Sequence, residues 1–232
     1  TEDDAAPEDW PTYRHDNARS GKASSELPAG VDTAWERKLG GKLTAPVVAG
    51  GRLFVAQVDA HQLHAMDSAT GEPLWSFTAG GRIDSPPTLH AGKAYFGSMD
   101  GWVYCLTAAT GELVWRFRGA PLDRRTGVFE QIESLWPVHG TVLVREGRVW
   151  FVAGRSSFLD GGMRLIRLEA ETGALIDEKL IDDHDPETGE DLQDRLQVLQ
   201  MPVALPNILS AEGDLVFMRS QQFNDDAARL EI

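Results

Sequence analysis

A repeat of about 40 residues runs through the first half of the chain. Trp35, Trp75 and Trp115 stand 40 residues apart, and the Thr-Gly-Glu triplet at 70–72 recurs 40 residues later at 110–112. A period near 40 that contains several turn signals is typical of a propeller blade, which is a small antiparallel sheet of four strands. The spacing therefore predicts a series of blades rather than a helical or mixed domain.

The residues between the tryptophans support strands. Gly-Gly at 50–51 is followed by the nearly continuous apolar run 52–58, as expected for an inner strand covered on both faces. Trp75 precedes Phe77 by two residues, so the two side chains share one face of a strand. We predict that the repeated tryptophans pack between blades and that each indole N–H finds a carbonyl oxygen. Stacking on a ligand is the alternative role.

The predicted fold is all-β, a β-propeller of four-stranded antiparallel blades. An N-terminal extended arm (1–32) precedes a partial propeller (33–232). The predicted blades and the insertions between them are as follows: blades at about 43–78, 84–118, 139–180 and 205–232, with insertions at 119–138 and 181–204. The last blade ends inside its third strand, and 31–39 reads as a lone outer strand.

About three and a half blades are thus expected. A propeller closes with roughly four to eight blades, and open blades expose apolar faces and unpaired strand edges. We therefore expect that the chain is part of a longer ring, and that the remaining blades come from another segment or from another chain.

A family resemblance follows from two stretches. Residues 63–77 follow the pattern Leu-x-Ala-Met-Asp-x-x-Thr-Gly-x-x-x-Trp-x-Phe. This pattern resembles the tryptophan-docking repeat of propellers of the pyrroloquinoline quinone (PQQ) type. The segment 9–21 is similar to the stretch before the first blade in such proteins, particularly large secreted ones of planctomycete-type bacteria. The superfamily includes quinoprotein alcohol dehydrogenases and a non-enzymatic propeller lipoprotein of the outer-membrane assembly machinery. The resemblance implies a seven- or eight-bladed ring and an extracytoplasmic location, periplasmic or secreted.

Composition excludes several classes of function. The net charge of −14 argues against nucleic acid or an anionic membrane surface as a partner, since both attract basic patches. No apolar run is long enough to predict a membrane span. Cys105 is the single cysteine and is expected to be a buried thiol. The sequence also lacks Cys-x-x-Cys, His-Glu-x-x-His and a glycine-rich phosphate loop.

Two irregular stretches carry the predicted binding residues. They are the insertion 119–138 with its flank, and an expanded turn at 155–162 in the third blade. Long loops on a rigid scaffold are common places for function. The candidates are polar or aromatic side chains of these loops: Arg155, Ser156, Ser157, Asp160, Glu130, Glu133, Trp136 and His139. Pairing among these arginines and carboxylates, which would only hold the loops, is the alternative. No catalytic residue is predicted, because no nucleophile–base pair stands out. Asp183, Asp185, Glu187 and Gly189 partly resemble a calcium loop, but they lack the spacing of a helix-loop-helix site, so no metal ligand is predicted.

The sequence favours a non-catalytic binding or scaffold propeller without a cofactor. It would belong to a larger protein or assembly and would hold a protein, a glycan or a small molecule on its rim. The alternative is a fragment of a PQQ-dependent quinoprotein dehydrogenase. The resemblance implies that such an enzyme holds PQQ over a calcium ion beside a vicinal cysteine disulfide, with an Asp as base. Cys105 has no neighbouring cysteine, so this sequence departs from that pattern. An accessory domain of a larger enzyme is a third possibility.

Overall fold

The computed structural model describes residues 6, 9–23, 25–26, 29–128, 130–182, 184, 188–190, 208–219 and 221–230. These residues form strands and contain no helix, and none of them belongs to a helix that could cross a membrane. The strands in chain order are β1 Val47–Ala49, β2 Arg52–Gln57, β3 Gln62–Asp67, β4 Pro73–Thr78, β5 Thr88–His90, β6 Lys93–Gly97, β7 Trp102–Thr107, β8 Leu113–Arg118, β9 Arg125–Val128, β10 Gln131–Ser134, β11 Leu143–Arg145, β12 Arg148–Ala153, β13 Met163–Glu169, β14 Leu175–Ile181, β15 Leu209–Glu212, β16 Leu215–Met218, β17 Gln221–Phe223 and β18 Arg229–Leu230.

The strands form four-stranded sheets in simple chain order. The sheets are β1–β4, β5–β8, β11–β14 and β15–β18, and neighbouring strands pair antiparallel in each. The separate hairpin β9–β10 lies in the connection between the second and third sheets. This architecture confirms the all-β class with four-stranded antiparallel blades.

One local prediction was wrong, and another stays untested. The last sheet does not stop in its third strand, because Asn224 accepts the backbone N–H groups of Asp226 and Ala228 and thereby turns the chain back to form β18. Residues 31–39 pair with no strand among the described residues, although they lie along the first sheet. The prediction that 31–39 is an outer strand stays a prediction, because it places the partner strands in a blade that the described residues do not contain.

We call the row of four sheets the array. Because neighbouring strands in each sheet run in opposite directions, the array has two distinct ends. The turns β2–β3, β6–β7 and β12–β13 lie at the same end as the connections between sheets, and we call this the rim end. The turns β1–β2, β5–β6, β11–β12 and β15–β16 lie at the other end, which we call the far end. The two predicted functional stretches, 119–138 and 155–162, both belong to the rim end.

The core lies in the seams between sheets. The first seam buries Phe54 and Phe96, and the second buries Tyr95 and Phe151. The third seam buries Trp150 from the third sheet against the fourth. Consecutive residues such as Tyr95 and Phe96 face opposite seams, because side chains alternate across a strand. This explains why the inner strands are continuous apolar runs.

Each repeated tryptophan lies on a turn of the following sheet. The indole N–H groups of Trp35, Trp75 and Trp115 donate to backbone carbonyls, and the rings lie against the glycines of the Thr-Gly turns. The carbonyls belong to Ser68, Ala108 and Ala170 at 3.0, 3.1 and 3.0 Å, and the glycines are Gly71, Gly111 and Gly173. Asp177 replaces tryptophan in the third sheet and accepts hydrogen bonds from Arg167 of the neighbouring strand.

Residues 10–21 of the arm run across the first strands of all four sheets, which are β1, β5, β11 and β15. Trp10 exchanges backbone hydrogen bonds with Val48 of β1, and the Pro11 carbonyl accepts the N–H of Leu89 in β5. The Asn17 side chain donates to a carbonyl of β11, and its own carbonyl accepts an N–H from β15. The first strand of each sheet has one edge without a strand partner, so the arm supplies hydrogen bonds that the sheets cannot supply themselves.

Arg19 anchors this arm from within. Its side chain is buried and donates to the Leu209 carbonyl at 2.9 Å, to the Thr12 hydroxyl at 2.7 Å and to the Tyr13 carbonyl at 3.2 Å. Burial lowers the pKa of Arg19 to about 10, which leaves the guanidinium charged at neutral pH. The charge is therefore stabilised by neutral oxygens that belong to the arm and to the fourth sheet.

Candidate functional site

A buried carboxylate organises the rim end. Glu133, in strand β10 of the hairpin, has a side chain that is only 1% exposed. Its Oε1 lies 3.0 Å from Nη2 of Arg82, and its Oε2 lies 3.9 Å from Nη2 of Arg155. Arg82 also pairs with Asp84 at 3.2 Å. Burial raises the pKa of Glu133, although both arginines act in the opposite direction.

The hairpin β9–β10 is tied to three sheets. His61, in the β2–β3 turn of the first sheet, has its Nε2 2.7 Å from Oε1 of Gln131. The Ser134 N–H donates to the Met99 carbonyl in the second sheet, and the Ser134 carbonyl accepts Nη2 of Arg155 in the third. A two-stranded hairpin is marginally stable by itself, so these contacts are what hold it over the rim.

The expanded turn 155–162 is packed against the base of the hairpin. Trp136 is 6% exposed, belongs to the core of the second seam and donates its indole N–H to the Asp160 carbonyl at 3.0 Å. Ser157 is buried, and the Ser156 hydroxyl accepts the N–H of Phe158. Hydrogen bonds within the protein therefore fix the conformation of this loop without a ligand.

The structure brings only some of the predicted residues together. Glu133 and Arg155 pair with each other, and Trp136 contacts the backbone of Asp160. Glu130 is exposed at the hairpin turn. The remaining candidates take internal or separate places: Ser156 in a turn, Ser157 buried and His139 half-buried ahead of β11.

Sequence reasoning missed four contributors to this site. Arg82 and Asp84 come from the connection β4–β5, and His61 and Gln131 link the first sheet to the hairpin. It also missed large apolar side chains that are exposed on the rim loops: Leu122, Ile132, Phe158 and Leu159. Neither the four polar contributors nor the four exposed apolar residues recur with the 40-residue period, so the repeat could not predict them.

Replacing Glu133 by glutamine should change how stability depends on pH. A carboxyl group whose pKa is higher in the folded state than in the unfolded chain stabilises the fold below that range and loses this effect as pH rises through it. We therefore expect the free energy of unfolding of the unaltered chain to fall, relative to Glu133→Gln, as pH rises above the ordinary glutamate value of 4.5. Urea unfolding at pH values from about 4 to about 8 measures this difference.

The matched control is Glu130→Gln, which removes the same charge from an exposed position on the same hairpin. Identical pH profiles for the two variants would contradict the burial argument.

The described residues do not fit PQQ with calcium and a vicinal disulfide. Cys105 is the only cysteine of the chain, lies fully buried in β7 and has its pKa raised to about 12 by burial. Among the described residues no three His, Cys, Asp or Glu side chains come together as a metal ion would require. The acidic residues Asp183, Asp185 and Glu187 lie outside the described residues.

Cys105 should be chemically inert in the folded chain. The thiolate is the reactive form of cysteine. The raised pKa of Cys105 suppresses thiolate formation, and its full burial keeps reagents away from the sulfur. We expect an aromatic disulfide reagent at about pH 8 to modify the folded chain at least about a hundredfold more slowly than the urea-unfolded chain. Comparable rates would show that the thiol is accessible.

Known proteins with similar sequences include quinone alcohol dehydrogenase subunits and outer membrane protein assembly factors. The chain is 27% identical over 188 residues to the dehydrogenase subunit of a quinone alcohol dehydrogenase from Gluconobacter oxydans, which covers 73% of this chain and 24% of the relative. It is 34% identical over 106 residues to the outer membrane protein assembly factor BamB of Burkholderia pseudomallei, which covers 45% of this chain and 23% of the relative. The chain thus spans about a quarter of the length of these curated relatives.

Two solved structures share the fold of the chain, and a family model shows to which family it belongs. The quinohemoprotein alcohol dehydrogenase of Comamonas testosteroni matches with a TM-score of 0.59 and 26% identity, over 82% of this chain and 30% of that one. The corresponding enzyme ADHIIG of Pseudomonas putida HK5 matches with a TM-score of 0.69 and 16% identity, over 90% of this chain and 34% of that one. The model of the PQQ_2 family, described as outer membrane protein assembly factor BamB, matches residues 15–225, and the chain therefore belongs to this family of PQQ-type β-propellers.

Proposed function

We propose that the chain is part of a non-catalytic binding propeller whose rim end holds a protein partner. The observation that carries this proposal is the exposure of large apolar side chains on rim loops that are themselves anchored. Ile132 of the hairpin is 67% exposed, Leu159 of the expanded turn is 55% exposed and Leu122 is 50% exposed. Apolar groups exposed on ordered loops are typical of protein interaction sites.

The buried network gives these loops their rigidity. Glu133, Arg155 and Trp136 act as supports beneath the surface, while Glu130 and Asp160 add exposed polar groups beside the apolar ones. A surface that is ordered before binding loses less conformational entropy when a partner docks. The arrangement suits recognition better than chemistry, because the charged groups neutralise each other instead of activating a nucleophile.

The relatives support a place outside the cytoplasm. The family carries the name of an outer membrane protein assembly factor, and a relative of that name matches almost half of this chain. On this ground we propose a periplasmic or secreted location. We also propose that the blades needed to close the ring come from another segment or from another chain.

Site-specific photocrosslinking tests the binding surface. A photoreactive residue at position 132 or 159, in the protein produced in its own cells, should form a discrete adduct with a protein partner. The control position is Leu74, which is 47% exposed but lies on an outer strand away from the rim. Ile132→Asp should abolish the adduct formed at position 159. Equal adducts from position 74, or none from the two rim positions, would overturn the proposal.

A quinoprotein dehydrogenase is the second candidate, favoured by the similarity over 73% of this chain to a dehydrogenase subunit. Addition of PQQ and calcium to the purified native protein, followed by dye-linked oxidation of alcohols, separates the two. The binding proposal predicts no cofactor-dependent oxidation. Turnover that requires both PQQ and calcium would establish the second candidate instead.

A further inference from the structure

We propose that a second site, at the far end of the array, binds a small multivalent anion that carries carboxylate or phosphate groups. The site is a cavity of about 690 Å³ between the arm and the far-end turns of the second, third and fourth sheets. Cavities of this size are typical of small-molecule sites. The cavity is remote from the rim by topology, so this inference is independent of the proposed protein-binding surface.

Arg145 supplies the first argument. It ends strand β11 and lines the cavity, and its side chain is only 9% exposed. Its Nη2 pairs with Glu146 at 3.0 Å and with Asp225 at 3.5 Å. Its Nη1 is buried and has no hydrogen-bond acceptor among the described residues. A buried donor without an acceptor is costly, so a ligand oxygen at this atom would relieve an existing penalty.

His15 supplies the second argument. The arm holds it at a φ of 81°, in the left-handed region, with its ring edge-on to Trp10 at 5.1 Å between centroids. Its Nδ1 is also buried without a hydrogen-bond partner among the described residues, and the Asp16 carboxylate lies 3.6 Å away. Strained backbone of this kind persists where the surrounding structure enforces it, and such positions concentrate at ligand sites.

The acidic groups of the cavity already have donors. Asp9 accepts the backbone N–H groups of Ala6 at 2.9 Å and Gly50 at 3.3 Å. Asp16 accepts both the N–H and the hydroxyl of Ser20, and Glu146 is paired with Arg145. The unused capacity for donation therefore lies at Nη1 of Arg145, with exposed Lys22 also lining the cavity. A ligand that matches this surplus must bring acceptor oxygens, which is why we infer an anion.

Calorimetric titration of the whole chain with citrate, at constant ionic strength, tests this site. We expect one saturable event, and we expect Arg145→Gln to weaken it at least about tenfold. Arg164→Gln is the matched control, because Arg164 lies on the same sheet and pairs with Glu178 away from the cavity. The control should change the affinity less than about twofold. A parallel titration with inorganic phosphate shows which anion class the site prefers.

A second pair of variants protects the test from a folding defect of Arg145→Gln. His15→Asn keeps a residue that tolerates the left-handed conformation but removes the ring, and Lys22→Gln removes an exposed charge. Both should weaken citrate binding while the melting temperature stays near that of the unaltered chain. Absence of saturation up to about 10 mM citrate would overturn the proposal, as would equal losses in Arg145→Gln and Arg164→Gln.

Discussion

Replacement of Arg19 by alanine should release the arm from the first strands of the sheets and lower the free energy of unfolding by about 3–5 kcal/mol. The guanidinium is buried and donates to acceptors in the arm and in the fourth sheet, including the Thr12 hydroxyl and the Leu209 carbonyl. Truncation would leave these acceptors buried without donors. Urea unfolding gives the energy, and limited proteolysis of residues 10–21 reports detachment of the arm.

Arg14→Ala is the control for this experiment. Arg14 lies in the same arm and has a similar positive φ of 57°, against 59° for Arg19, but its side chain is exposed. Alanine therefore has the same backbone effect at both positions, and only Arg19 loses buried hydrogen bonds. Arg19→Lys should recover less than half of the loss, because an ammonium cannot reproduce the planar fork of donors. Equal stability of Arg14→Ala and Arg19→Ala would disprove the anchoring role.

The blades were predictable because their signals are local and repeated. Each repeated tryptophan is followed within one or two repeats by the Thr-Gly turn that it contacts. In the structure Trp75 lies on Gly111 and Trp115 on Gly173, each across the seam between two sheets. Asp177 shows how the pattern can change without loss of the sheet. A hydrogen-bonded pair with Arg167 takes the place of the indole, and the strands still pair.

The anchoring contacts were not predictable, because nothing periodic marks them. Arg19 meets Thr141 and Leu209, which lie 122 and 190 residues away along the chain. Glu133 meets Arg82 from a different sheet connection. Charged residues in loops read equally well as a solvated surface, and only the folded array shows that these are buried. The insertion 119–138 was identified as irregular, yet it contains a hairpin whose β-branched Thr126, Val128 and Ile132 suit a strand pair.

The arm and the hairpin β9–β10 both connect several sheets, the arm toward the far end and the hairpin at the rim end. Each is a segment between or before blades that is held by hydrogen bonds to several sheets at once. Such cross-links resist relative movement of blades, which otherwise contact only their neighbours. The two proposed sites, one at the rim and one at the far end, therefore lie beside the parts of the array that are best fixed in position.

Alanine at Gly111 should be far more destabilising than alanine at Gly92, although both glycines have a positive φ, of 75° and 72°, in the second sheet. At Gly92 an added Cβ meets nothing within 4 Å, so the cost is the left-handed strain alone, about 1–2 kcal/mol. At Gly111 the Cβ would lie 2.6 Å from the Trp75 ring. The indole would have to move away from the turn and lose its hydrogen bond to the Ala108 carbonyl. We expect a total loss of about 3–5 kcal/mol there.

A double-mutant cycle isolates the contact between turn and indole. In a Trp75→Ala background the added methyl group has no ring to displace, so Gly111→Ala should then cost only about 1–2 kcal/mol, as at Gly92. The coupling of about 2–3 kcal/mol is the energetic signature of an indole that seats directly on the glycine turn. If Gly111→Ala costs the same with and without Trp75, the indole does not lock this seam, and the stability of the array must come from the buried strand faces alone.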